Sequence, residues 1–275
     1  MKVDGYIDKI KQNAGQTFMS TGLDYYDEDG ILHCGICGDK KVTRLQSFGK
    51  TWEFTCLCKC AQEKLKLYEA QMKREEMLRE VEHLKSTGLS DHRFREWCFA
   101  NDNGCNPKLY LAREYVEKWQ EMKEQNIGYL LSGPVGTGKS FFAGCIANAL
   151  MEKGIPVLMT NFSRILNEMT CNGADKNQII QNLVSYPLLI IDDLGVERRS
   201  EFATEQVYSI IDSRYCSKRP LIVTTNLTVR EMENAELEYQ RIYSRIFEMC
   251  IPVVYEGNDL RKKEARGKIQ YITGK

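Results

Sequence analysis

The chain has 275 residues, in which 38 Lys and Arg offset 38 Asp and Glu, so its formal net charge is zero. Zero charge excludes a globally basic surface for nucleic acid, and any such surface must therefore be local. No stretch reaches the roughly 18 consecutive apolar residues of a membrane helix, and Met1–Gly5 does not begin an apolar signal segment. We expect a cytoplasmic protein with reduced thiols and no membrane partner, long enough for one α/β domain and a smaller module.

Cysteines cluster in the N-terminal part of the chain. Cys34 and Cys37 form a Cys-x-x-Cys-Gly knuckle, whose turn lets two thiolates converge on one ion. Three further cysteines follow at positions 56, 58 and 60. We choose Cys58 and Cys60 as the second pair, although a pair that includes Cys56 stays open. Four thiolates that leave no vacant position predict a structural Zn²⁺ site.

The residues around these cysteines favour a small module stabilised by metal. Val42–Phe54 alternates aromatic and β-branched residues with polar ones, which predicts a hairpin. A module of about fifty residues buries little core, so a metal would supply the missing stability. His33 adjoins a ligand and is interpreted as a bystander. A redox dithiol is the alternative, but the surroundings lack a thioredoxin-like βαβ pattern.

A charged segment separates this module from the rest of the chain. Residues 61–85 lack Gly and Pro and are rich in Glu, Lys, Leu and Met, which predicts a long helix. Its apolar seam does not last three heptads, so a helical linker is favoured over a coiled coil. We therefore divide the chain into a zinc-binding module at 1–62, a helical linker at 63–90 and a nucleotide-binding domain at 91–275.

The larger domain is organised around a phosphate-binding loop. Gly133–Ser140 has the pattern G-x-x-x-x-G-K-S, between a predicted strand at 129–131 and a predicted helix at 141–150. Backbone N–H groups and the helix N-terminus would bind phosphates. Lys139 would reach the β- and γ-phosphates, and Ser140 would hold Mg²⁺. The predicted nucleotide-binding residues are Gly133, Pro134, Val135, Gly136, Thr137, Gly138, Lys139, Ser140 and Phe141.

Downstream, strands and helices alternate as in a parallel, doubly wound sheet. We expect further strands at 156–161, 188–195, 221–226 and 251–254, and helices at 109–125, 162–169, 177–184, 202–216, 229–235 and 240–249. The aromatic segment at 93–103 is interpreted either as a base-packing segment or as plain core packing by Trp97 and Phe99.

Polar residues end two of these strands. A run of apolar residues places Asp192 at the carboxyl end of a buried strand, where it would hold Mg²⁺. Asp193 would orient or deprotonate the attacking water. Asn226, at the end of the next strand, would contact the γ-phosphate and that water. Arg241 and Arg245 lie four residues apart, which fits either a phosphate-binding fork or a plain basic helix face.

Taken together, the P-loop, Ile-Ile-Asp-Asp-Leu-Gly, Thr-Thr-Asn and Arg-Ile-x-Ser-Arg-Ile resemble the AAA+ ATPases of the DnaC/DnaI type, the bacterial replicative helicase loaders. The resemblance covers residues from about 93 to 270, and its order of parts matches loaders with a metal-binding N-terminal module. It implies an α/β fold, an AAA+ P-loop ATPase with a parallel sheet flanked by helices. A small zinc-binding module and a helical linker would precede it, and ATP, Mg²⁺ and Zn²⁺ would be its cofactors.

The resemblance also implies roles for single residues. Asp192 and Asp193 correspond to Walker B, and Asn226 resembles sensor 1. Arg245 resembles the arginine finger offered to the ATP of a neighbouring subunit, with Arg241 as its rival, and Arg261 resembles sensor 2. Many AAA+ proteins have Asp-Glu where this chain has Asp-Asp. Its general base is therefore open between Asp193 and a second acid five residues past the metal acid, Glu197.

The resemblance implies partners as well. A finger supplied in trans implies a homo-oligomer, the N-terminal module would bind the hexameric replicative DNA helicase, and the ATPase domain would touch single-stranded DNA. The local surface for DNA would be 258–275, which also fits a solvated charged end. An IstB-type transposition helper is the alternative function, although such helpers generally lack a cysteine module. A nucleotide-locked adaptor that scarcely hydrolyses ATP is the non-enzyme alternative.

Overall fold

The computed structural model describes residues 23–104, 106–195, 200–257 and 259–260, and the statements below concern these residues. The chain divides into two compact units, residues 1–77 and 78–275. The division falls inside helix α1 (Lys59–Gly88), which contains the helix predicted at 61–85. Among the described helices, none is both long enough and apolar enough to cross a membrane.

The first unit contains two short antiparallel ladders. Strand β1 (Tyr25–Tyr26) pairs with β2 (Leu32–His33), and β3 (Val42–Ser47) pairs with β4 (Lys50–Thr55). Phe48 and Gly49 connect β3 to β4 with positive φ angles of 49° and 71°, the backbone that a two-residue hairpin turn requires. The predicted hairpin is therefore confirmed.

Little of the first unit is buried. The hydrophobic core of its described part consists of Cys34, Cys58 and Ala61, with Cys60 packed against it. Helix α1 exposes almost all of its length to solvent and has no apolar face, as expected of a solvated helix rather than a coiled coil.

The second unit is built on a five-stranded parallel sheet in the order β6-β7-β8-β5-β9. The order places β5, which leads into the P-loop, between β8 and β9. The chain then crosses to β6 at the far edge, so the carboxyl ends of the central strands meet where the order of the strands reverses. The strands are β5 (Gly128–Ser132), β6 (Val157–Thr160), β7 (Leu188–Leu194), β8 (Leu221–Thr225) and β9 (Cys250–Val254).

Helices cover both faces of this sheet, with one buried apolar cluster on each side. The predicted α/β fold with a parallel sheet flanked by helices is confirmed. The helices are α2 (Leu109–Glu117), α3 (Trp119–Glu124), α4 (Lys139–Glu152), α5 (Phe162–Thr170), α6 (Lys176–Ser185), α7 (Glu201–Cys216), α8 (Val229–Glu233) and α9 (Leu237–Met249).

The start of this unit differs from the prediction at one helix, and its aromatic segment packs against the core. The single helix predicted at 109–125 is broken at Lys118, whose ψ of 21° departs from helical geometry, and α3 then begins at the buried Trp119. The segment at 93–103 forms 3₁₀ turns, and Trp97 packs so closely on α4 that a Cβ on Gly144 would lie 2.7 Å from its ring. Core packing is thus the role that the structure gives Trp97.

A buried arginine connects the segments that lead into two strands of the sheet. Arg214 of α7 is fully buried, and its guanidinium donates to the carbonyl oxygens of Val184, Tyr186, Pro187 and Pro220. These carbonyls lie at the end of α6 and just before β7 and β8. Burial lowers the pKa of Arg214 to about 9, and the four acceptors offset part of the cost of burying its charge.

Candidate functional site

The P-loop has the backbone that its glycines permit. Between β5 and α4, Gly133, Gly136 and Gly138 have φ angles of 138°, 78° and 91°, a region that side chains with a Cβ rarely adopt. A Cβ on Gly133 would also lie 2.2 Å from the carbonyl oxygen of Tyr255, which follows β9. These two constraints explain why the loop needs glycine at these positions.

Lys139 joins the P-loop to the end of β8. Its side chain is buried, and its Nζ donates to the carbonyl oxygens of Gly133 (2.7 Å) and Pro134 (2.8 Å). The same ammonium donates to Oδ1 of Asn226 at 3.0 Å. The structure therefore brings together the two residues expected to contact the γ-phosphate, and a bound phosphate would compete for this ammonium.

Asp192 lies beside the P-loop helix. Its carboxylate is buried and accepts hydrogen bonds from the hydroxyls of Thr224 (2.7 Å) and Ser140. Burial raises the pKa of Asp192, and these two hydrogen bonds oppose that rise. A carboxylate beside a serine hydroxyl at a phosphate loop is a set of hard oxygen donors that fits Mg²⁺.

Asp193 follows at an irregular point of β7. Its φ is 56°, its side chain is exposed, and its backbone N–H donates to Oγ1 of Thr224 at 2.9 Å. The exposed carboxylate next to the buried one separates the two acids by environment, as their predicted roles in metal binding and water activation require.

Three residues near the site were given no role in nucleotide binding by the sequence. Thr224 contacts both acids, as described above. The N–H of Leu260 donates to the carbonyl oxygen of Gly136 at 2.9 Å, and Asp259 packs against the same glycine. Thr224 could have been identified from the hydroxyl groups at the end of a predicted core strand. The local sequence at 259–260 gave no indication that these residues contact the P-loop.

Arg245 contacts other residues of the same chain. Its Nε lies 2.7 Å from Oδ1 of Asp212, and its Nη2 donates to the hydroxyl of Tyr208 at 2.9 Å, both on α7. Its guanidinium also lies over the ring of Tyr208, 4.8 Å from the centroid. Arg241, one turn earlier on α9, is exposed. Two other predicted residues, Glu197 and Arg261, lie outside the described part of the chain, as does most of the basic segment 258–275.

The structure gathers four cysteines in the first unit. The Sγ atoms of Cys34, Cys37, Cys58 and Cys60 all lie within 4.8 Å of one another. Cys60 Sγ lies 3.5 Å from that of Cys34 and 3.4 Å from that of Cys58. Tetrahedral Zn²⁺ with bonds of about 2.3 Å would set its sulfur ligands about 3.8 Å apart, so the spacing fits.

Cys56 and His33 lie near this cluster but bond to other groups. The Sγ of Cys56 donates to the carbonyl oxygen of Lys40 at 3.3 Å and is not part of the group of four. His33 hydrogen-bonds Asp27 through Nε2 (2.8 Å) and the carbonyl of Gly38 through Nδ1 (2.9 Å), so both ring nitrogens are engaged elsewhere. Its role as a bystander agrees with these contacts.

The backbone of the knuckle favours a thiolate. The N–H groups of Cys37 and Ile36 donate to the sulfur of Cys34 and lower its pKa to about 6. A thiolate is the form that binds Zn²⁺.

Comparison with known families identifies the larger unit. The sequence profile of the IstB-like ATP binding proteins matches residues 61–267. The chain belongs to this family. Nucleotide binding by IstB-like proteins agrees with the P-loop, Lys139 and Asp192 described above.

Two curated relatives support the same relationship. The replicative helicase loader DnaC of Escherichia coli strain K12 is 33% identical over 143 residues, which are 50% of this chain and 56% of the relative. An ATP-binding protein in an insertion sequence of Mycobacterium tuberculosis is 30% identical over 130 residues, 46% of this chain and 51% of that protein. The chain thus spans about half the length of these relatives. The predicted resemblance to DnaC-type loaders is confirmed.

A solved structure of DnaI is similar to the larger unit in fold. It superposes with a TM-score of 0.52 and 19% identity, covering 62% of this chain and 95% of the DnaI chain. At this identity the match shows a similarity of fold alone.

Proposed function

We propose that this protein is an ATP-hydrolysing switch that loads a hexameric replicative DNA helicase onto single-stranded DNA. The observation that carries the proposal is the convergence of Lys139, Asn226, Ser140 and Asp192 at one end of a parallel sheet, in a chain similar to DnaC. The chain is also similar to an ATP-binding protein in an insertion sequence, so a transposition helper is the competing proposal.

Each residue of the site has a separate role in the proposed hydrolysis. Lys139 and the P-loop N–H groups would bind the phosphates, and Asn226, whose Oδ1 accepts a hydrogen bond from Lys139, would contact the γ-phosphate. Asp192 and Ser140 would hold Mg²⁺, which would supply positive charge beside the phosphates. Asp193, which is exposed, orients the attacking water.

Arg245 acts on the ATP of a neighbouring subunit in this proposal. Its present partner is the carboxylate of Asp212. A γ-phosphate of the neighbouring subunit would take the place of this carboxylate as the anion that the guanidinium binds. We expect Arg245→Ala to bind ATP as single subunits but to lose hydrolysis that depends on assembly. Mixing it with Asp193→Asn subunits should restore part of the activity, and Arg241→Ala serves as the comparison. Equal losses in Arg241→Ala and Arg245→Ala would contradict this assignment.

The N-terminal unit offers the surface for the helicase. One face of the β3–β4 hairpin carries Leu45, Trp52 and Phe54, each more than half exposed, and Phe48 at the turn is fully exposed. The other face is polar. There Arg44 binds Glu53 at 2.7 Å and the carbonyl of Gly30.

The charge on this hairpin favours a protein partner. Single-stranded nucleic acid binds where aromatic side chains line a basic groove. The hairpin has two cations, Arg44 and Lys50, and Arg44 is engaged by Glu53. An apolar protein surface, here that of the helicase, fits this face better.

Co-purification tests this part of the proposal. The full chain should retain the replicative helicase of its source organism, and a chain without residues 1–77 should not. Replacing Leu45 and Trp52 by Thr should weaken retention at least tenfold, whereas replacing Gln46 and Thr51 by Ala on the polar face should not. Binding of single-stranded DNA instead of helicase by the hairpin would contradict the assignment.

A further inference from the structure

The two acids of the site lie in a β-bulge. The pairing of β7 with β8 shifts between Ile191 and Leu194, so that Asp192 and Asp193 both lie opposite Thr224. A bulge of this kind breaks the ladder and redirects side chains, and bulges concentrate next to active sites. Here it separates a buried acid from an exposed one within two consecutive residues.

The hydroxyl of Thr224 compensates for the broken ladder. Thr224 is fully buried, and its Oγ1 donates to Oδ1 of Asp192 at 2.7 Å. The same oxygen accepts the backbone N–H of Asp193 at 2.9 Å. A hydroxyl has one proton to donate, and here the Asp192 carboxylate receives it, so both acids are tied to one side-chain atom.

We propose that Thr224 is a positioning residue for metal-assisted phosphoryl transfer. Its hydroxyl fixes the rotation of the Asp192 carboxylate, which would hold Mg²⁺, and through the Asp193 amide it sets the position of the water-orienting acid. This inference rests on the proposed ATPase function and deepens it. Residues that orient a metal ligand typically contribute about 10–100-fold to metal affinity or activity.

The chain supplies a matched control on the same strand. Thr225 is also fully buried, but its hydroxyl donates to the carbonyl of Leu194 (2.8 Å) and accepts the N–H of Leu227 (3.1 Å). Thr225→Val therefore removes a buried hydroxyl with two hydrogen bonds, as Thr224→Val does, without touching either carboxylate or the Asp193 amide.

The decisive measurement is the Mg²⁺ dependence of nucleotide binding. The affinity for mant-ATP, a fluorescent ATP analogue, is measured in EDTA and across a Mg²⁺ titration. Thr224→Val should need about 10–100-fold more Mg²⁺ to reach tight binding. Its affinity in EDTA should stay within about twofold of wild type, since the P-loop and Lys139 are unchanged. Thr224→Ser keeps the hydroxyl and should match wild type in both conditions.

Turnover supplies the second measurement. In an ATPase assay, Thr224→Val should lower kcat and Thr224→Ser should restore it, while Thr225→Val should leave the Mg²⁺ requirement at the wild-type value. If circular dichroism shows that Thr224→Val does not fold, Thr224→Cys takes its place, because its S–H is only a weak donor.

Three results would overturn the inference: a wild-type Mg²⁺ requirement in Thr224→Val, an equal shift in Thr225→Val, or no rescue by Thr224→Ser. A wild-type protein that binds mant-ATP with Mg²⁺ but does not turn over would refute the ATPase proposal alone. The Mg²⁺ titration would still decide the role of Thr224.

Discussion

Replacing Cys58 by Ser should remove the metal from the first unit and unfold it. In its described part, the hydrophobic core consists of Cys34, Cys58 and Ala61. Small side chains contribute about 0.8 kcal/mol for each buried methylene-sized group, so this core supplies only a few kcal/mol. Structural Zn²⁺ contributes about 10–16 kcal/mol in comparable peptides, far more than such a core.

Zinc content measured by mass spectrometry checks this prediction. Wild type should hold one Zn²⁺ per chain, and Cys58→Ser should hold severalfold less. Cys56→Ser is the matched control, because the Cys56 sulfur bonds the carbonyl of Lys40 and is not part of the group of four. Mant-ATP binding should survive in both variants, since the P-loop belongs to the second compact unit. Zinc loss in Cys56→Ser, or full retention in Cys58→Ser, would refute the reasoning.

Further predictions concern both units. Lys139→Ala should lower ATP affinity at least about 100-fold, because each lost charge-assisted hydrogen bond costs about 1.5–3 kcal/mol, and unchanged affinity measured with mant-ATP would refute the site. Arg214→Met should lower the free energy of unfolding by about 3–5 kcal/mol in urea titrations, since it removes the buried guanidinium that donates to four carbonyl oxygens, and a loss below about 1 kcal/mol would contradict this. The hydrogen bond to Gly38 and the contact with Asp27 raise the pKa of His33. Protonated His33 therefore stabilises the folded first unit fully below about pH 6.5, and this contribution is lost as the pH rises through the higher pKa of the folded state. NMR titration of the His33 ring should show this raised pKa, and a value at or below the ordinary one would contradict it.

Much of the fold follows from local chemistry. The glycines of the P-loop are required by its own φ angles, and the apolar runs of β7 and β8 are long enough to identify buried strands. The pattern at 109–125 shows one apolar stripe and gives no sign of the break at Lys118.

The site is less predictable, because parts of it depend on strand register. Asp192 could be placed at the end of its strand from the sequence, but the bulge that puts two acids opposite Thr224 exists only once β7 pairs with β8. The sequence likewise shows Arg214 as one of several arginines. Its burial follows from the meeting of α6, β7 and β8 around it, which no local pattern records.

The most direct test of the central claim is the delivery of helicase to closed circular single-stranded DNA. The hexameric helicase of the source organism is incubated with this DNA and ATP, and the helicase retained on the circle is measured with wild-type protein and with Lys139→Ala. The loader account predicts severalfold more helicase on the circle with wild type than without it, and no such increase with Lys139→Ala. An equal amount of helicase on the circle with and without the protein would contradict the account. If the protein also bound duplex DNA, a transposition helper would be favoured.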